Sequence, residues 1–249
     1  MTELNRLFLP DGKNLNSMLW GQAGSGKSVF LEITLLQFLK QNRDPNLRVV
    51  IVSPKNEGFE FGEIVFNLPD LEKTIREKRV SVLYPAMTGL DETVDETINM
   101  MFDYQAGNEK SSFIFILDDS QVFLSSRKAA SDAHKRLALT GRSRRIKGIY
   151  VAHNIVFARE LEGQVDTLIG FSNPNPIYYR QAIERFNFDP EPFAEAIRSK
   201  PYSFVWFDVR EEKPRLMEPL EMPEKPQKVT EVKTGERGLV SSMGREGVE

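Results

Sequence analysis

Gly21-Gln22-Ala23-Gly24-Ser25-Gly26-Lys27-Ser28 lies between an apolar run, Asn16–Trp20, and a stretch of helical character, Lys27–Gln41. The pattern Gly-x-x-x-x-Gly-Lys-Ser has a mechanical reason for each fixed position. Gly21, Gly24 and Gly26 let the backbone wrap a phosphate with its amide hydrogens turned inward. Lys27 supplies a positive charge to the terminal phosphates, and Ser28 supplies a hydroxyl to Mg²⁺. The helix that opens there adds the positive end of its dipole. Residues Gly21, Gln22, Ala23, Gly24, Ser25, Gly26, Lys27, Ser28 and Val29 are therefore expected to contact a nucleotide. ATP and Mg²⁺ are the expected cofactors.

Working outward, short apolar runs alternate with helical stretches. Strands are expected near Asn16–Trp20, Arg48–Val52, Val80–Tyr84, Ser112–Leu117, Gly148–Ala152, Thr167–Phe171 and Ser203–Val209. Helices are expected at Lys27–Gln41, Asp91–Tyr104, Ala129–Leu139 and Ile177–Phe186. Runs such as Phe113-Ile114-Phe115-Ile116-Leu117 are apolar at every position, as in strands covered on both faces. The fold class is α/β, a mostly parallel sheet sandwiched by helices. Ser203–Val209 and Arg215–Met217, joined by Glu211-Glu212-Lys213-Pro214, predict an antiparallel hairpin at the edge. After Leu220 the chain is rich in Glu, Lys, Pro, Gly and Ser and has no aromatic residue. The expected organisation is one ATPase domain over 1–220 and a disordered tail over 221–249.

The strand Phe113–Leu117 ends in Asp118-Asp119, which puts two carboxylates at the edge where open α/β sheets bind ligands. Asp118 is the expected Mg²⁺ partner, and Asp119 is expected to orient and polarise an attacking water. A basic run follows. Between Arg127 and Lys147 there are eight Lys or Arg against one acid, Asp132, in a chain whose net charge is −3. Arg142, Arg144 or Arg145 could complete a neighbouring subunit's site as a finger, or contact a nucleic-acid backbone. His153 and Asn154, at the end of the next strand, could sense the terminal phosphate.

Composition excludes other chemistries. The chain of 249 residues has no Cys and only two His, so thiolate sites and disulfides are absent and a histidine-rich zinc site is disfavoured. No apolar run approaches the ~20 residues of a spanning helix, and the charged N-terminus does not read as a secretory signal. A cytoplasmic location is the expectation. Asn-Lys-x-Asp and Asp-x-x-Gly are missing, which argues against a GTPase switch. A nucleoside or nucleotide kinase with an arginine lid stays open.

The order of these motifs resembles the FtsK–HerA superfamily of P-loop (RecA-like, ASCE) DNA-pumping ATPases. Ile51-Val52-Ser53-Pro54-Lys55 is similar to the family's apolar-Asp-Pro-Lys strand end, with Ser53 where Asp is usual. Arg145, three residues before Gly148, matches the family's arginine before its sensor strand, and His153 stands where a glutamine is usual. Size and the ending Tyr150-Val151-Ala152-His153-Asn154 look most like the genome-packaging ATPases of tailless, membrane-containing double-stranded DNA viruses. The resemblance implies a homo-oligomeric ring, pentamer or hexamer, that drives double-stranded DNA into a preformed capsid. It implies catalytic roles for Lys27, Asp119, Arg145 or Arg142 from the adjacent subunit, and His153. Loops such as Ser125–Asp132, with Arg127 and Lys128, would line the pore. A capsid vertex or portal is the implied docking partner, with Met1–Lys13 and the tail as docking elements, and a virion-associated location becomes an option. Filamentous-phage assembly ATPases are the alternative within the class, although those usually carry a membrane span.

Overall fold

The protein is described from a computed structural model over residues 6–10, 16–55, 58–59, 61–124, 129–155 and 159–220. Strands β1 (Asn16–Trp20), β2 (Leu47–Val52), β3 (Glu63–Val65), β4 (Val80–Leu83) and β5 (Ser112–Leu117) are followed by β6 (Ile146–Ala152), β7 (Val165–Gly170), β8 (Phe204–Asp208) and β9 (Arg215–Met217). They form one sheet in the order β3-β4-β2-β5-β6-β1-β7-β8-β9. The ladder is parallel from β3 through β7. β8 then runs antiparallel to β7, and β9 antiparallel to β8, which is the expected edge hairpin. The helices are α1 (Lys27–Gln41), α2 (Leu68–Glu77), α3 (Leu90–Gly107), α4 (Asp132–Thr140), α5 (Arg159–Glu162), α6 (Pro176–Phe186) and α7 (Ala194–Ser199).

Period-two alternation divides each central strand between two apolar layers. Phe113, Phe115 and Leu117 pack on the side of α3 and α4, whereas Ile114 and Ile116 pack on the side of α1. A strand buried on both faces cannot alternate apolar with polar, which is why β5 reads as an unbroken hydrophobic run. Leu7 and Phe8 are fully buried beside α1, with the Phe8 ring stacked on Phe38 at 5.3 Å. This part of Met1–Lys13 therefore belongs to the core and is not free to dock; residues 1–5 and 11–15 lie outside the described residues.

Several boundaries differ from expectation for local reasons. α4 begins at Asp132, not Ala129, because the Ser131 hydroxyl accepts from the His134 amide and caps the helix there. α2 was not expected. Asn67 caps this helix by accepting from the Asp70 amide at 2.9 Å, and a proline in the first turn lacks only a donor that the helix would leave unpaired. The three-residue edge strand β3 and the short α7 carry too few residues for a periodic signal. β6 starts at Ile146, two residues early, and this buries Lys147, which donates to the Arg6 carbonyl at 3.2 Å. Lys147 thus leaves the exposed basic patch. Arg136 stays exposed, its guanidinium lying 4.2 Å from the Phe102 ring centre. The expected tail, 221–249, lies outside the described residues, and no described helix is long and apolar enough to cross a membrane.

Candidate nucleotide site

Register builds the site. Trp20 pairs with Ala152, Val52 with Leu117, and Leu117 with Tyr150, so β1, β2, β5 and β6 end at one level of the sheet. The residues that follow those ends meet there: the Gly21–Ser28 loop after β1, Ser53-Pro54-Lys55 after β2, Asp118-Asp119 after β5 and His153 after β6. Because β6 stands between β1 and β5, His153 lies between the loop and the acids.

The loop is anchored at its entry, where the Gly21 amide donates to the Ala152 carbonyl and the Gln22 amide to the Ser172 carbonyl. Gly24 has φ +74° with open space where a Cβ would stand, and Gly26 has φ +97° with the Tyr202 ring 2.5 Å from that point. Neither position suits another residue, the first for its backbone and the second also for its neighbour. The Lys27 ammonium donates to the carbonyls of Gly21 at 2.8 Å and Gln22 at 2.9 Å. Burial lowers its pKa to about 8; Asp118 opposes that fall and Lys55 adds to it. Gln22, Ala23 and Gly24 form an exposed rim, Ser28 is half-buried, and Val29 is exposed.

The acids differ sharply. Asp118 is buried and accepts from the Asp119 amide at 3.1 Å and the Ser53 hydroxyl at 3.3 Å. Burial raises its carboxyl above the usual range, Asp119 adds to the rise, and Lys55 opposes it. Asp119 has φ +51°, a left-handed conformation that Asp tolerates better than most residues. Its carboxylate meets Lys55 Nζ at 2.7 Å, His153 Nε2 at 3.1 Å and Gln121 Nε2 at 3.2 Å. Burial lowers the His153 pKa, with Lys27 and Lys55 lowering it further against the pull of Asp119, so the neutral ring prevails near pH 7. A neutral ring with its proton on Nε2 donates to Asp119. The backbone of His153 is fixed as well, its amide donating to Gln121 Oε1 at 3.1 Å and its carbonyl accepting from Asn173.

These groups surround a cleft of about 560 Å³ that runs from Ala23, Gly24 and Ser28 to Lys55 and His153. No cluster of three or more His, Cys, Asp or Glu suited to a metal occurs among the described residues. That donor set fits Mg²⁺, which keeps several waters and relies on one or two carboxylates plus phosphate oxygens. The buried, destabilised carboxylate of Asp118 and the Ser28 hydroxyl are the groups to hold it.

The expected site residues do not all converge. Lys27, Ser28, Asp118, Asp119 and His153 do. Arg142 and Arg145 lie in the turn before β6, at the opposite edge of the sheet. At about 3.3 Å per residue, the seven-residue β6 sets Arg145 on the order of 20 Å from His153. Arg145 has φ +56°; its guanidinium donates to the Lys110 carbonyl at 3.0 Å and lies 3.8 Å from Asp44. Neither arginine belongs to the cleft of its own chain. Arg127 and Lys128 lie outside the described residues. Conversely, Lys55, Gln121 and Tyr202 were not assigned as site residues. Lys55 was legible, since the strand end Ser53-Pro54-Lys55 is apolar-run punctuation of the same kind as Asp118-Asp119. Gln121 and Tyr202 carry no signal in the sequence.

No family model and no curated protein matches the chain. Solved structures do. The genome packaging NTPase of Sulfolobus turreted icosahedral virus 2, in complex with ATP-gammaS, superposes with a TM-score of 0.69 at 18% identity, over 84% of this chain and 98% of that one. The DNA-packaging ATPase of Sulfolobus turreted icosahedral virus gives 0.67 at 19% identity, over 83% and 98%. The chain shares the fold of these packaging NTPases. VirB4 of Thermoanaerobacter pseudethanolicus has it too, with a TM-score of 0.65 at 9% identity over 86% of this chain and 91% of that one. The likeness first drawn from motif order thus holds at the level of the fold, a P-loop ATPase sheet with antiparallel C-terminal strands.

Proposed function

We propose that the protein is an ATP hydrolase of the FtsK–HerA type that moves double-stranded DNA, packaging a viral genome into a preformed capsid. The observation that carries the hydrolase is the convergence of Lys27, Asp118, Asp119 and His153 on one cleft at the phosphate loop. The Lys27 ammonium, now satisfied by its own loop, exchanges the Gly21 and Gln22 carbonyls for phosphate oxygens. Mg²⁺ bound at Ser28 and Asp118 supplies charge neutralisation of the phosphates. Asp119 orients and polarises the attacking water, whose oxygen bonds to the γ-phosphorus as the bond to the bridging oxygen breaks, leaving ADP and phosphate. Lys55 and His153 hold the Asp119 carboxylate in place and, being near the terminal phosphate, can register its loss.

The motor half of the reading rests on the cationic turn. Arg142, Arg144 and Arg145 are all exposed at the far edge of the sheet, outside the cleft of their own chain and open to another molecule. A homo-oligomeric ring uses one of them, Arg145 or Arg142, as a finger in the adjacent subunit's cleft. Duplex DNA is gripped by phosphate contacts, with Arg127 and Lys128 as the candidates, since a packaging motor must move any sequence. Docking is at a capsid vertex or portal, in the host cytoplasm and on the virion. Two structural neighbours support the cargo: those at TM-scores of 0.69 and 0.67 are genome- or DNA-packaging enzymes.

The test is ATP hydrolysis with and without long duplex DNA, read alongside the mass in solution. A ring whose hydrolysis rises with DNA is expected. A monomer that ignores DNA and phosphorylates a nucleoside would establish a kinase instead.

A further inference from the structure

A second cavity of about 270 Å³ opens beside the phosphate cleft and shares Gly26, Val29 and Tyr202 with it; Phe30, Ile33 and Leu220 complete its wall. Val29 and Ile33 are spaced i, i+4, so they present one face of the first turns of α1, just past the phosphate loop. Opposite them stands the Tyr202 ring, 58% exposed although it lies against Gly26. Its backbone is unusual. The Ser203 amide donates to the Lys200 carbonyl at 3.2 Å, closing a turn with Pro201 second and Tyr202 third at φ +67°. Proline followed by a positive φ is the pattern of a type II turn, whose third position favours glycine. A tyrosine there is held in a sparsely populated conformation with its ring in solvent, and packing on Gly26 alone does not call for that. Strain of this kind points to a role at a site.

We propose that this cavity seats the purine base of the nucleotide, with Tyr202 stacking on one face of the ring and Val29 and Ile33 closing the other. The inference rests on the nucleotide reading of the phosphate loop and extends it to the end of the ligand that the loop does not touch. Continuity of the two cavities through Gly26, Val29 and Tyr202 selects the occupant, because a nucleotide whose phosphates fill the first has its base to place in an adjoining space. The wall is apolar apart from backbone groups and the tyrosine hydroxyl, so it offers contact area and little hydrogen-bond readout. Sites that read a base by hydrogen bonds discriminate by orders of magnitude, whereas stacking accepts any purine. Leu220 adds a further apolar side chain to this wall.

The experiment measures the affinities of the full chain for ATP, GTP and inorganic tripolyphosphate. ATP and GTP are expected to bind within about tenfold of one another, and both about 10- to 100-fold tighter than tripolyphosphate. Tyr202→Gly suits the turn and so preserves the fold; it is expected to weaken ATP by about tenfold or more while leaving tripolyphosphate unchanged. Tyr202→Trp is expected to keep ATP affinity. Three results overturn the proposal and leave phosphate binding intact: tripolyphosphate binding as tightly as ATP, Tyr202→Gly binding ATP like wild type, or a preference of about a thousandfold for ATP over GTP. Wild-type protein that binds none of the three overturns the nucleotide reading itself, and this inference with it.

Discussion

The two edges of the parallel sheet carry the same kinds of side chain and use them in opposite ways. At the carboxyl edge Lys27, Lys55, Asp118, Asp119 and His153 face one another across a cleft, and Lys27, Asp118 and Asp119 are buried. At the amino edge Arg142, Arg144 and Arg145 are exposed, the Arg145 guanidinium donating to the Lys110 carbonyl and lying 3.8 Å from Asp44. The first arrangement brings its charges together within one chain. Its charges desolvate and shift one another, as the lowered pKa of Lys27 and the raised pKa of Asp118 record. The second lies in solvent, and in the proposed ring it would meet a partner. A buried, mutually compensated cluster is what chemistry needs, and an exposed, uncompensated one is what recognition of phosphate needs.

Mutations at the two edges should therefore fail differently. Lys27→Ala is expected to abolish ATP binding to the limit of calorimetry and hydrolysis with it, because it removes the only lysine that the loop aims at the phosphates. Arg145→Ala is expected to lower hydrolysis by about 10³-fold while ATP binding persists, the size expected of a finger. Mixing the two variants should restore part of the activity, since one class of interface then has both halves. Full activity of Arg145→Ala alone would dissolve the contrast for that residue and leave Arg142 as the candidate.

Two smaller effects sharpen the same comparison by pH. The charged form of Lys27 binds phosphate, and burial brings its pKa to about 8. Affinity for ATP is expected to be full below about pH 7 and to fall about tenfold per unit above 8, measured by calorimetry from about pH 6.5 to 9.5. The amino edge has a titrating pair of its own in Asp208 and Arg210. Burial would raise the Asp208 carboxyl, but hydrogen bonds from the Arg210 side chain and backbone, with its charge, carry the pKa below the usual value. A depressed carboxyl contributes stability above its unfolded pKa, and the contribution disappears as pH falls through the folded value. The Arg210 side chain is 46% exposed, so Arg210→Ala is expected to cost no more than about 1 kcal/mol at neutral pH, with the difference from wild type closing below about pH 4 in thermal melts.

Much of this was legible in the chain because the signals are local. The loop Gly21–Ser28 and the strand end Leu117-Asp118-Asp119 each announce themselves through residue types whose backbone or charge suits one task. The all-apolar strands announce a sheet covered on both sides. What was misread depended on neighbours distant in sequence. Lys147 looks like one more cation of a basic run, yet β6 starts early and takes it into the core. Leu7 and Phe8 lie in Met1–Lys13, a segment expected to dock a partner, yet α1 offers them Phe38. Lys55 reads as the end of one strand, and pairing of Val52 with Leu117 is what brings it to Asp119.

By itself, the sequence determined the fold class and the chemistry of the phosphate loop, since glycine, lysine and serine at fixed spacing permit few other backbone paths. The tertiary structure decided which charges meet. Strand order puts β6 between β1 and β5, and register brings four strand ends level, so His153 and Lys55 converge on Asp119 while Arg145, seven residues before Ala152, is carried to the far edge. Spacing along a chain does not reveal such convergence, because strands far apart in sequence become neighbours only when the sheet assembles.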